Sequence, residues 1–356
     1  MKLPLLAVVS TISLSAVSRA DVLTITADRD NTLYESATGE LSNGAGIGVF
    51  SGVNTGLSPT IRRGLIHFDV GAIPAGSVVD SVRLRLTVTR SPLLGGPEDV
   101  ALHRLLADWG EGTSDPTFEE GPGAPATTDD ATWLHTFFSS ATWTAAGGDF
   151  DPTALAVRTV NAPGTYFWES TAAMVADVQA WLDAPGANFG WMVKHVDEAT
   201  TLSARRFASR HVASVTLRPA IEVGFTPPPC SASNYCTSNP SSTGFPAVIG
   251  FSGSCVALVN DFTLTAGPLP DQPFLFFFGN SQIQVPFGNG FLCAGGGIVR
   301  INPPAVASGG TATREVDLAA SAITSGVTKN FQCWFRDPAG GGAFFNTSDG
   351  LAVTFQ

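Results

Sequence analysis

From residue 79 to residue 90 the chain reads VDSVRLRLTVTR, with Val82, Leu84, Leu86 and Val88 at one parity and Arg83, Arg85, Thr87 and Thr89 at the other. A period of two sends these sets to opposite faces of a pleated ribbon, which predicts a half-buried strand. Just upstream, residues 64–69 predict another strand, closed by a turn over 72–76 in which Pro74 fixes the backbone. Similar runs predict strands over 22–26, 100–105, 164–169, 188–195, 204–208 and 220–225. One helix interrupts them. Ser170 or Thr171 can cap it, Met174, Val178, Trp181 and Leu182 share one face, and Pro185-Gly186 ends it. Many short strands with turn punctuation and a single short helix predict an all-β chain whose N-terminal part is an antiparallel β-sandwich.

Two stretches break this rhythm. Residues 108–151 carry no strand-like run, and a connection of that length is functional or poorly ordered. Pro227, Pro228 and Pro229 then mark a linker over 226–230. Beyond it, residues 231–356 predict a second, smaller β-sandwich with FLFFFG, QIQVPF, FQCWFRD and LAVTFQ as strands and phenylalanines as its core. About 335 residues after the N-terminal segment exceed what one core usually serves, so two domains are expected, residues 21–225 and 231–356.

The first 20 residues, MKLPLLAVVSTISLSAVSRA, join one cation to a short apolar run that ends in small residues, the pattern of an export signal. A secreted or cell-surface protein is therefore expected. No later run is long and apolar enough for a spanning helix, which argues against membrane insertion. The net charge is -11, and 24 of the 30 acids fall in residues 21–226, a balance that repels nucleic acid and anionic lipid. All 5 cysteines follow the proline run, and in an exported chain they read as two disulfides and one leftover thiol. Cys293 and Cys333 lie in adjoining predicted strands and are expected to bond. Cys236 with Cys255 is the preferred second pair.

TADRDNTLYE (26–35), RRGLIHFDVGAIPAGSVVDSVRLRL (62–86), DWGEGTSD (108–115), DATW (130–133), GGDFD (147–151), VADVQAWLDAPGANFGWM (175–192) and ARRFASR (204–210) followed by RPAIEV occur in that order. Together they make residues 21–225 similar to a DNRLRE-type domain. The resemblance implies a jelly roll related to carbohydrate-binding module family 96, found in secreted bacterial proteins beside polysaccharide-active enzymes or in surface proteins. In that family the arginine strand ends Ser-Arg-Glu, whereas here it ends Ser209-Arg210-His211. The WFRDP stretch, Trp334 to Pro338, resembles a C-terminal β-module of exported bacterial proteins and carries no assigned function.

Asp108 and Glu111 flank Trp109, as the two carboxyls of a glycosidase would flank a sugar platform. Such a pair needs one carboxyl raised by an apolar setting, and a glycine-rich polar loop offers little of that. GFSGS (250–254) fails the G-x-S-x-G pattern and no H-E-x-x-H occurs, so no enzyme is expected. Trp109, Trp133 and Trp143 share the long loop and either bind sugar faces at the rim or peg the loop to the sandwich, pegging being the stronger expectation. Asp28, Asp30 and Asn31 form an oxygen-rich cluster that fits part of a calcium site, with a turn cluster as the plainer alternative. Arg205, Arg206 and Arg210 can grip carboxylated sugars or serve internal ion pairs. The expected function is binding of a polysaccharide or cell-surface glycan. A structural or adhesive component without a sugar site is the alternative, favoured if the loop tryptophans prove well buried.

Overall fold

The computed structural model describes residues 20–54, 59–117 and 119–356, so the segment read as an export signal lies outside the described residues except for Ala20. The described chain divides into two compact units, Ala20–Pro228 and Pro229–Gln356. The fold is all-β, with curled antiparallel sheets and one α-helix among the described residues.

The first unit is built around the alternating strand. Val78–Arg90 pairs with Gly164–Trp168 on one side and, on the other, with Ala220–Thr226 along its first part and Arg205–Ala208 at its end. Val82, Leu84, Leu86 and Val88 are each at most 1% exposed, as their parity requires. Asp21–Thr26 closes this layer against Ala220–Thr226. The other layer runs Ile61–His67, Trp191–His195, Glu98–Arg104, Ala156–Val160, and Arg29–Tyr34 pairs with Ile61–His67. Gly48–Val53 joins the layers, since residues 48–51 pair with Arg205–Ala208 while Gly52 and Val53 pair with Arg62 and Ile61. Gly52 makes that crossing possible. It has φ +110°, and a Cβ there would lie 2.7 Å from the Ser203 backbone.

The helix Ala172–Asp183 is capped by Thr171, whose side chain accepts from the Met174 amide at 3.1 Å. Met174, Val178 and Trp181 are buried, Leu182 only partly, and the 3-10 turn Pro185–Ala187 follows.

In the second unit a five-stranded sheet runs Ser231–Tyr235, Phe345–Thr354, Thr328–Arg336, Pro273–Gly279, Val299–Val306. Val248–Gly253, Phe262–Gly267 and Ala312–Glu315 form a three-stranded sheet. Phe262, Phe274, Phe276, Phe278, Phe331, Phe335 and Phe355 fill the core of the unit, the role their abundance suggested.

The disulfides correct the expected pairing. Cys230 bonds Cys255 and Cys236 bonds Cys293, with Cα–Cα separations of 5.8 and 6.0 Å, and Cys333 is the buried free thiol. Neither Cys293–Cys333 nor Cys236–Cys255 forms. The cause is side-chain parity. The hairpin of Ser281–Phe287 and Gly290–Gly295 covers the outer side of the sheet, where the Cys293 amide donates to Gln332 Oε1 at 2.8 Å. Gln332 faces that hairpin, and its neighbour Cys333 therefore points into the phenylalanine core. Two disulfides suit an oxidising compartment.

Candidate functional site

Leu102 and Leu105 are buried while Leu106 is exposed, and the strand ends at Arg104. From there the long loop folds back over the end of the sandwich and is pinned by its tryptophans. Trp109 is fully buried, donates from Nε1 to the Phe189 carbonyl at 2.8 Å, and lies under the Arg29 guanidinium at 5.0 Å. Trp143 donates to the Thr132 carbonyl at 2.9 Å, and Arg63 covers Trp133 at 4.9 Å. With Leu33, Leu65, Leu105, Ala131 and Met192 the three rings form one apolar cluster. All three rings are buried, as the pegging expectation has it, and none presents an open face to solvent. Only short ladders hold this glycine-rich loop, Ala124–Pro125 with Leu41–Ser42 and His135–Phe137 with Ala141–Thr142, and buried aromatic anchors add the contacts that these leave out.

The acidic residues of the same stretch are also engaged. Asp108 takes Arg29 at 3.1 Å. Glu111 receives Arg210 through Nε at 2.6 Å and Nη2 at 2.5 Å, and accepts the Asp30 amide at 2.9 Å. His211 Nε2 stands 3.5 Å from Glu111 Oε1. Beside them Asp30 is buried. Loss of water pushes its carboxyl up to about 7, against the Arg210 amide that donates to Oδ2 at 2.5 Å, and the Glu111 charge adds to the rise. Its Oδ1 meets no donor. The ion pair ties the loop to the strand Arg29–Tyr34 and commits Nε and Nη2 of Arg210 to Glu111.

Asp28, Asp30 and Asn31 do not converge as the calcium reading required. Asp28 bonds His67 Nδ1 at 2.6 Å, which outweighs its partial burial and holds its carboxyl below the usual range. Asn31 Oδ1 accepts from the Thr32 and Asn43 amides and from Ser42 Oγ. Asp30 and Asn31 are consecutive in the strand Arg29–Tyr34, so their side chains leave on opposite faces. Among the described residues no group of three or more His, Cys, Asp and Glu is placed to hold a metal ion.

The arginine strand Arg205–Ala208 carries the open site. Arg205 and Phe207 face inward and are 0% exposed, which turns Arg206 outward. Arg206 lines a groove of about 980 Å³ together with Phe50, Thr89, Arg90, Leu93, Leu94 and Asn161. Its Nε donates to Thr89 Oγ1 at 3.0 Å, and no bond to its two terminal nitrogens is formed by a described residue. Arg90 pairs with Glu119 at the rim. Leu93 and Leu94 stand almost wholly in solvent.

Arg205 frames this groove, a role the sequence did not reveal. Its guanidinium donates to the carbonyls of Asn161 at 3.2 Å, Ser203 at 2.9 Å and Ala204 at 3.3 Å, and to that of Gly96. These carbonyls belong to the segments that form the groove walls, so one buried cation ties them together. Burial lowers the Arg205 pKa from its usual value. In sequence Arg205 is indistinguishable from Arg206, and only their opposite parity separates the two roles. No protein-family model matches the chain, and a search of curated proteins finds no match to it either.

Proposed function

We propose that this is an exported, non-catalytic protein whose first unit binds a polysaccharide in the groove beside Arg206, not at the tryptophan loop. The observation that carries this reading is the Arg206 fork, near the Glu120 charge but with no hydrogen bond from a described residue to its terminal nitrogens, beside apolar side chains in a groove whose walls are held by Arg205. A planar fork matches a carboxylate at short range, where one bidentate pair outweighs the screened repulsion of the unit's net negative charge, and apolar walls match the C–H faces of sugar rings, so a uronate-bearing chain is the first expectation. The likeness of residues 21–225 to a carbohydrate-binding family supports the same class of ligand. Asp108 and Glu111 are each held by an arginine, which supports a non-catalytic role. Export accords with the N-terminal signal pattern and the two disulfides.

The burial of all three loop tryptophans favours a second reading, a rigid structural or adhesive component without a sugar site. Affinity electrophoresis through gels containing polygalacturonate or neutral xylan separates the two. Retardation by polygalacturonate that is lost in Arg206→Gln supports the groove. Unaltered mobility in both gels supports the structural component.

A further inference from the structure

Of the 7 tryptophans in the chain, six are buried and Trp334 alone is left partly open. It lies on the strand Thr328–Arg336, where Phe331, Cys333 and Phe335 enter the core and Gln332, Trp334 and Arg336 take the outer side. The hairpin that covers Gln332 stops short of Trp334. Its last residue before the turn, Phe287, is 38% exposed and packs 5.0 Å from the Phe345 ring, which lies 5.8 Å from the Trp334 ring at 39°. Gly288 in the turn has φ +63°, and a Cβ there would come within 2.2 Å of Phe345 Cε2, so the absence of a side chain lets the turn close on that ring. The three rings are thus held in place. Arg336, exposed, pairs across the sheet with Phe345. Trp334 Nε1 makes no hydrogen bond with a described residue, unlike the indoles of Trp109, Trp143, Trp168 and Trp191.

We infer that Trp334, Phe345 and Phe287, whose rings are inclined by 39° and 59° to one another, form a shallow saccharide-binding cradle, a carbohydrate contact of the second unit separate from the groove of the first. Area selects this occupant. The open part of the three rings is on the order of 200 Å², given that an aromatic side chain buries about 150 to 250 Å² in full. A stable protein interface needs about 800 Å² per partner. One or two sugar rings fit the smaller area, with C–H faces on the rings and hydroxyls within reach of the free indole N–H and the Arg336 guanidinium.

The test uses the full disulfide-bonded protein and three neutral probes, cellohexaose, xylohexaose and mannohexaose. Limited N-bromosuccinimide oxidation with peptide mapping is expected to modify Trp334 first, and at least one hexasaccharide is expected to protect it. Isothermal titration with that hexasaccharide should then show about a tenfold or greater loss of affinity in Trp334→Ala and partial retention in Trp334→Phe. Protection by none of the three sugars overturns the inference, as does equal affinity in Trp334→Ala. Shielding of Trp334 by self-association, seen in sedimentation velocity, overturns it too. The groove proposal is read separately, because only Arg206→Gln in polygalacturonate bears on it.

Discussion

Replacing Trp109 by alanine tests whether the long loop is pegged rather than presented. The indole is fully buried, so truncation removes roughly 200 Å² of apolar burial, about 5 kcal/mol at ~25 cal/mol/Å². An extended reference chain overstates that area, which brings the figure to about 4 kcal/mol. The Phe189 carbonyl loses its donor, adding about 1 kcal/mol, and the Arg29 guanidinium loses its ring. Partial collapse of the cavity and relaxation of Arg29 toward water offset some of this. A net loss of about 3 to 5 kcal/mol results, the range seen for buried aromatic truncations. Urea unfolding of the full chain, followed by far-UV circular dichroism, should show the transition of the first unit at a lower midpoint with unchanged slope and that of the second unit unmoved. Trp109→Phe keeps most of the area and should cost only about 1 to 2 kcal/mol. A loss below about 1 kcal/mol in Trp109→Ala would refute the peg, and with it the claim that this tryptophan is structural.

Two further outcomes follow from the same structure. Non-reducing peptide mapping should recover Cys230 linked to Cys255 and Cys236 linked to Cys293, with Cys333 alkylated only after unfolding; label on native Cys333 would contradict its burial. For Asp30 the folded carboxyl titrates at about 7 against an ordinary value of 3.8, so the folded state binds the extra proton between these values. Its stabilisation is complete below about pH 4 and is lost as pH rises through 7, which predicts that Asp30→Asn gains stability relative to the parent from pH 4 to pH 7. Asp28 and Glu198, whose carboxyls are lowered, act with the opposite sign at more acid pH. A stability difference between Asp30→Asn and the parent that stays constant from pH 4 to 7 would refute the assignment.

How far the sequence could be read depended on whether a segment's partners were local. The strand Val78–Arg90 is amphipathic, and its alternation carried through to the burial of every second residue. Thr171 and the helix it caps were legible for the same reason, since a cap and an apolar face are properties of neighbouring residues. Gly48–Val53 was not, because all six residues are buried and no alternation survives. Arg29–Tyr34 read as an oxygen-rich turn because its polar side chains find partners far along the chain: Asp108 for Arg29, Arg210 for Asp30 and Glu111 for Asn31. The disulfide error was a one-residue matter of parity between Gln332 and Cys333. Arg206 stood among the candidate glycan contacts from the start, but nothing local in the text marks Arg205 as the cation that gathers the groove walls.

The most direct measurement of the groove proposal is hydrogen exchange by mass spectrometry on the full protein, with and without oligogalacturonate. Slowed exchange in the segments around Arg90 to Gly95, Asn161 to Pro163 and Leu202 to Arg206, lost in Arg206→Gln, is the predicted result. Protection confined to the loop around Trp109 and Glu111, or unchanged protection in Arg206→Gln, would contradict it.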